Sequence, residues 1–196
     1  MKRFFDIIFS LVGIIVLIPI YLIIAIAISL DSKGGVIYRQ KRTGKGDIPF
    51  DVMKFRTMRP DSFAKGALTV GDRDPRVTKV GYFLRKYKLD ELPQLFNVLF
   101  GDMSFVGPRP EVEKYTRLYN QEQKKVLSVR PGITDYASIK YRNESELLAK
   151  SDDPEKTYID VIMPEKLNIN LAYIKDNSVF KDVKIIFETF LAIIKD

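Results

Sequence analysis

Asp90 and Glu91 stand side by side in the run RKYKLDELPQLFNVLFGDMSFVGPRP, residues 85–110, with cations on both sides. Arg85, Lys86 and Lys88 precede the pair and Arg109 follows it. The chain has no His and no Cys. That removes the commonest general base, the commonest transition-metal ligand and all thiolate chemistry. Acid–base or nucleophilic work must therefore fall to Asp, Glu, Lys, Tyr, Ser or Thr. A bound metal would be a hard, oxygen-preferring ion such as Mg2+. A plainer reading of the same residues stands beside this one. Pro93 suits a first helical turn and Gly101 suits a helix stop, so the acidic pair falls near a helix N-terminus. An acidic cap there is stabilised by free backbone N–H groups and the helix dipole, with solvated charges around it.

The elements that must position these residues are legible in outline. VIYRQKRTGKGDIPFDVMKFRTMRP, residues 36–60, has the pattern of a β-hairpin: two β-prone runs around the turn TGKGD. Lys54 and Arg56 fall on one strand face, where an Arg fork and a Lys point charge would suit a phosphate; a solvated strand face is the alternative. GKG at 44–46 is no P-loop, since the longer spacing and the Lys-Ser/Thr ending are missing. Turn signals at Gly66, Gly71 and Asp74-Pro75 lead into the short basic, aromatic stretch KVGYFLRKYK. Its Tyr82, Phe83 and Tyr87 fit either a membrane surface or a half-buried core position.

With 196 residues the chain suffices for one domain with a real core, and a net charge of +7 favours an anionic partner: lipid, phosphorylated substrate or nucleic acid. No recognition motif supports the last. Residues 7–30 carry no charge, and as a helix they reach about 36 Å, more than a bilayer core needs. They are too long for a usual signal peptide. A plain span would carry Lys2 and Arg3 across the membrane, which the positive-inside rule disfavours. A re-entrant helix, bent at Pro19, would keep Lys2, Arg3 and Lys33 at one interface, although transmembrane helices also tolerate proline. SDDPEKTYIDVIMPEKL, with two prolines, reads as loop and short helix. The following SVFKDVKIIFETFLAIIK has helical spacing at Phe180, Val183, Phe187, Phe190, Leu191 and Ile194, for a core or an interfacial helix.

TVGDRDPRVTKVGYFLRKYKLDELPQLFNVLFGDMSFVGPRP resembles the central block of the bacterial monotopic phosphoglycosyl transferases. KRFFD with the Pro-interrupted apolar segment, RQKRTGKGDIPFDVMKFRTM and RPGIT are similar to other signature stretches of that family. Together they cover most of residues 1–135; residues 136–196 match more loosely. The resemblance implies a mixed α/β fold with a re-entrant anchor at 1–32 and a small catalytic domain at 33–196, on the cytoplasmic face of a bacterial inner membrane. It implies transfer of a sugar-1-phosphate from a UDP-sugar to undecaprenyl phosphate with release of UMP. Asp90 would be the nucleophile, forming a phosphosugar-aspartate, with Glu91 as its partner.

The resemblance also implies Mg2+, held by Asp90 and Glu91, which would offset the repulsion between a carboxylate and a diphosphate. Lys54, Arg56, Arg85, Arg109 and Arg130 are the cations expected around the phosphates, Arg109 on a loop stiffened by Pro108 and Pro110. For each, a surface ion pair is the alternative. A homodimer is left open, as is a different class of function: a catalytically silent basic adaptor at the membrane. Two positions depart from the family pattern. Ile18 stands where many relatives place Ser before the membrane proline. Asn170 stands where many carry an acid; either Asp160 or Glu165 substitutes for that role or the role is lost, and neither is assigned to the metal.

Overall fold

The computed structural model describes residues 2–59 and 75–194. The turn signals at Gly66, Gly71 and Asp74 lie outside them. The fold is mixed: nine α-helices among the described residues, with two small two-stranded sheets.

α1 (Lys2–Asp31) is a single continuous helix that carries Pro19 without ending there. Thirty residues reach about 45 Å. One stripe, recurring every three or four residues, is tied to the rest of the protein along the whole length. Arg3 donates to the carbonyls of Val98 and Leu99, and Asp6 accepts from Ser104 Oγ at 3.1 Å and Phe105 N at 3.2 Å. Ser10 is buried, Gly13 meets Leu95, and the Tyr21 hydroxyl donates to Leu92 O at 2.8 Å. Ile24 and Ile28 join Phe55 and Leu84 in a core, and Asp31 accepts from Val80 N at 3.0 Å. The outward residues, among them Phe4, Phe9, Val16, Leu22, Ile23 and Leu30, are exposed and apolar. The inner face belongs to the core, while among the described residues nothing covers the outer face.

The expected hairpin forms from β1 (Ile37–Thr43) and β2 (Pro49–Phe55), antiparallel, with Tyr38 opposite Lys54. Gly46 in its turn takes a left-handed conformation at φ 70°. α2 (Lys79–Lys86) is capped by Thr78, whose side chain accepts from Gly81 N. Gly81 is obligatory there, because a Cβ would lie 2.1 Å from Thr57 O. Tyr82, Phe83 and Tyr87 are exposed, and the buried members of α2 are Gly81 and Leu84. The half-buried core position is therefore not the one these aromatics occupy.

α3 (Gln94–Phe100) ends, as the sequence predicts, at a left-handed Gly101. β3 (Ser104–Val106) pairs in parallel with β4 (Gly132–Thr134), and the backbones approach closely between Gly107 and Gly132. α4 (Glu113–Thr116), α6 (Glu144–Ala149), α7 (Pro154–Thr157) and α8 (Met163–Lys175) enclose a second core of Tyr115, Tyr119, Val126, Leu148, Tyr158 and Leu167.

The stretch from Ser151 to Leu167 is more helical than expected. Pro154 sits in the first turn of α7, where the missing N–H has no helical partner to lose, whereas Pro164 lies within the continuous helical run Pro154–Lys175, just after a π-turn over Tyr158–Ile162. α5 (Tyr136–Lys140) packs against α8. α9 (Val179–Ile194) sends Ile185 into the core with Val106 and Tyr173. The six apolar residues singled out from its spacing are all exposed, Phe180 at 90%.

Candidate active site

Lys88 adopts a left-handed conformation at φ 55° and starts a one-turn 3-10 helix, Leu89–Glu91, that runs through Leu92 and Pro93 into α3. This turn aims the two carboxylates at different neighbours. Neither caps a helix through its side chain, so the capping reading does not describe them.

Glu91 is fully engaged. Arg109 grips it with two prongs, Nη1 to Oε2 at 3.2 Å and Nη2 to Oε1, and Lys54 Nζ reaches Oε1 from β2 at 3.1 Å. Burial alone would raise the pKa of Glu91, but Arg109 and Lys54 together hold it well below the usual carboxylate range. Glu91 in turn pushes the Arg109 guanidinium further up. Burial lowers the Lys54 ammonium, with Glu91 opposing that shift.

Asp90 is different. It is 8% exposed, and none of the described residues donates a hydrogen bond to its carboxylate. Burial raises its pKa and the Glu91 charge adds to the rise, against Lys54, Arg85 and Lys88. The result is one carboxylate fixed and ionised beside another that no described residue hydrogen-bonds.

Asp90, Glu91, Lys54, Arg85, Arg109 and Pro110 all line one cavity of about 1010 Å³. The same cavity reaches the apolar surface of α1 at Phe9, Gly13 and Leu17. Arg85 Nε donates to Thr57 Oγ1 at 2.9 Å. Two expected phosphate ligands point elsewhere. Arg56 is buried and its guanidinium donates to the carbonyls of Ser32, Lys33, Gly34 and Gly35, closing the end of α1. Arg130 Nε donates to Gly101 O at 2.8 Å and does not line the cavity.

Three residues that the sequence reading passed over hold the Arg109 loop. Asp135 is buried and accepts from Arg109 N at 2.9 Å and from Ser138 N at 2.5 Å. Glu111 accepts from Arg42 Nη1 at 3.1 Å, from Val112 N at 2.7 Å and from the Tyr158 hydroxyl. Arg42 also donates to Pro110 O. Glu111 directly follows GPRP, and Asp135 directly follows RPGIT. Their adjacency to these runs was the available signal. Of the three residues considered for the acidic role, only Asn170 lines the cavity. Asp160 is exposed, and Glu165 is taken by Lys140 and Tyr141.

The donor set suits Mg2+ in part. Asp90 offers a carboxylate that takes no hydrogen bond from the described residues, and Mg2+ is commonly held by one or two carboxylates together with substrate phosphates and water. Glu91 could join only by releasing Lys54 or Arg109. No cluster of three acidic ligands exists among the described residues.

Buried Asp90 and the neighbouring Glu91, with the cations paired to it, line a cavity that reaches the apolar surface of α1. The family model described as Bacterial sugar transferase matches residues 1–196, and the chain belongs to that family. The UDP-glucose:undecaprenyl-phosphate glucose-1-phosphate transferase of Escherichia coli (strain K12) is 39% identical over 193 residues, covering 96% of this chain and 39% of that protein. The UDP-N-acetylgalactosamine-undecaprenyl-phosphate N-acetylgalactosaminephosphotransferase of Aeromonas hydrophila is 38% identical over 196 residues, 98% of this chain and 43% of its own length. Exopolysaccharide production protein PSS of Rhizobium leguminosarum bv. phaseoli is 36% identical over 203 residues, 98% of this chain and 94% of that protein. The chain thus spans about two-fifths of the first two relatives and nearly all of the third.

Proposed function

We propose that this protein transfers a sugar-1-phosphate from a UDP-sugar to undecaprenyl phosphate and releases UMP, as a membrane step in bacterial glycan assembly. The observation that carries the proposal is the contrast between two adjacent carboxylates: Glu91 is clamped by cations, whereas buried Asp90 receives no hydrogen bond from the described residues.

An Asp90 oxygen attacks the phosphorus that bears the sugar. The bond from that phosphorus to the bridging oxygen breaks, and UMP departs with the electron pair. A phosphate oxygen of the lipid then attacks the same phosphorus and expels the Asp90 carboxylate, leaving a sugar diphosphate lipid. Arg109 and Lys54, already oriented by Glu91, stabilise charge on the phosphoryl oxygens, and Arg85 lines the same space. Mg2+ bound at Asp90 would supply charge neutralisation for the diphosphate and the leaving group.

The monotopic reading is supported by α1. A helix crossing the bilayer would leave the domain behind, whereas α1 keeps its inner stripe on the protein from Lys2 to Asp31 and offers lipid only its outer face. Lys2 at one end and Asp31 at the other touch the same globular unit. In this reading the cavity would lie near the depth of a lipid phosphate, and the basic charge of the chain favours a cytoplasmic domain.

The test is intact-mass analysis of purified protein quenched after mixing with UDP-sugar, Mg2+ and no lipid. The expected product is a sugar-phosphate adduct that maps to Asp90 and disappears when undecaprenyl phosphate is added. Turnover without an adduct at any quench time refutes the covalent route.

A further inference from the structure

Outside the charged site, two buried side-chain atoms among the described residues have no hydrogen-bond partner. Asn170 is 5% exposed, yet its Oδ1 has no hydrogen-bond partner, and neither has the buried Oγ of Ser138. Both residues line the active-site cavity. A buried polar atom left unpaired is destabilising, and an apolar side chain of similar shape would relieve that. The position therefore keeps an amide at the expense of stability, the usual mark of a group reserved for a ligand.

The placement says which ligand. Ser138 lies on α5, whose first turn is fixed by Asp135, and Asp135 also accepts from the backbone N–H of Arg109. Two hydrogen bonds thus link this polar spot to the residue that clamps Glu91. Asn170 faces the same cavity from α8, which packs on α5. Both groups are neutral, so a phosphate gains nothing here over the Arg109 side. A carboxamide and a hydroxyl suit ligand O–H or N–H groups. In the proposed reaction, the donor part joined directly to the attacked phosphorus is the sugar, whereas uridine lies one phosphate further away.

We propose that Asn170, with Ser138, forms the subsite that hydrogen-bonds the hydroxyl or acetamido groups of the donor sugar, and so helps select it. This rests on the proposed transferase reading. A half-turn of the Asn170 carboxamide exchanges its donor and acceptor, letting one residue answer hydroxyls of either orientation.

The experiment uses the full chain in detergent with Mg2+, carrying Asp90→Asn so that no adduct forms. Affinities for UDP-glucose, UDP-galactose, their two N-acetylhexosamine counterparts and UMP are measured by titration calorimetry, with and without Asn170→Leu or Ser138→Ala. Asn170→Leu is expected to keep or raise the melting temperature and leave UMP affinity unchanged. It should weaken the best-bound UDP-sugar on the order of tenfold or more, and flatten the differences among the four. Ser138→Ala should act in the same direction more weakly. Equal weakening of UMP and the UDP-sugars, or no change in either, overturns the sugar subsite and leaves a packing amide. The transferase reading is judged separately, by UMP release from protein with Asp90 intact.

Discussion

Arg109 and Glu91 meet as two forks, with Nη1 3.2 Å from Oε2 and Nη2 on Oε1, while the adjoining Asp90 receives no donor from the described residues. This single contact ties the GPRP loop to the turn before α3. It orients the guanidinium beside the proposed nucleophile before any substrate arrives, which would leave little reorganisation for the chemical step.

Arg109→Lys keeps the charge and loses the fork. Its kcat is expected to fall about a hundredfold with the fold intact, because a lysine cannot hold both Glu91 oxygens in one plane. Steady-state UMP release beside a circular dichroism melt reads this. A variant within threefold of the parent kcat would mean that the fork is not used.

Asp90→Asn should abolish turnover and behave distinctively with pH. Because burial raises the folded pKa of Asp90, the folded state holds that proton more tightly than the unfolded chain does. Wild-type stability therefore declines as pH rises from the ordinary aspartate range through the raised value, and Asn at 90 removes that decline. Melting temperatures should coincide in acid and separate toward neutrality, the variant above. Glu91 has the opposite sign: its lowered pKa stabilises the fold above the ordinary glutamate value, and this is lost as pH falls through the folded one.

Arg56→Ala is expected to cost roughly 2–4 kcal/mol of stability, since several carbonyls at the end of α1 lose a charged donor together. Protein that remains folded should bind UMP as before. Denaturant melts and UMP titration on the same sample separate this from a phosphate-binding role, in which affinity would drop first.

Gly132→Ala should destabilise by about 3 kcal/mol or more, because the new Cβ would lie 2.1 Å from Gly107 N and 2.4 Å from Gly107 O. The strain falls on the loop that leads to Arg109, so activity per folded molecule should also drop. A neutral result in both measurements would contradict the close strand approach.

For the anchor, single cysteines replacing Lys2 and Lys33 can be labelled from each side of sealed vesicles without background thiols. Both are expected on one side. Labelling from opposite sides rules out the one-face arrangement.

The residues that carry the resemblance were readable because each belongs to a contiguous run: the acidic pair, the GPRP loop, the hairpin and the Gly101 stop. What escaped depended on distance in the chain. Alternation placed Lys54 and Arg56 on one strand face, but β2 ends at Phe55, so Arg56 lies past the last paired residue and turns to α1. Proline reads as a breaker between Ser151 and Leu167, where Pro154 opens α7 and Pro164 follows a π-turn inside one continuous helical run. Helical spacing identified α9 but not the direction of its apolar stripe, since a core and a lipid surface select the same residues. Asp135 and Glu111 meet partners supplied by the tertiary fold, and no local pattern encodes those meetings.

The stripe on α1 has a consequence for attempts to exchange the anchor. A foreign hydrophobic helix grafted over residues 2–31 would still carry the remainder to a bilayer. It would bring no guanidinium for the Val98 and Leu99 carbonyls, no carboxylate for Ser104, and no aliphatic surface for Phe55 and Leu84. Such a chimera should reach its address and arrive misassembled, because this helix is scaffold as much as mooring.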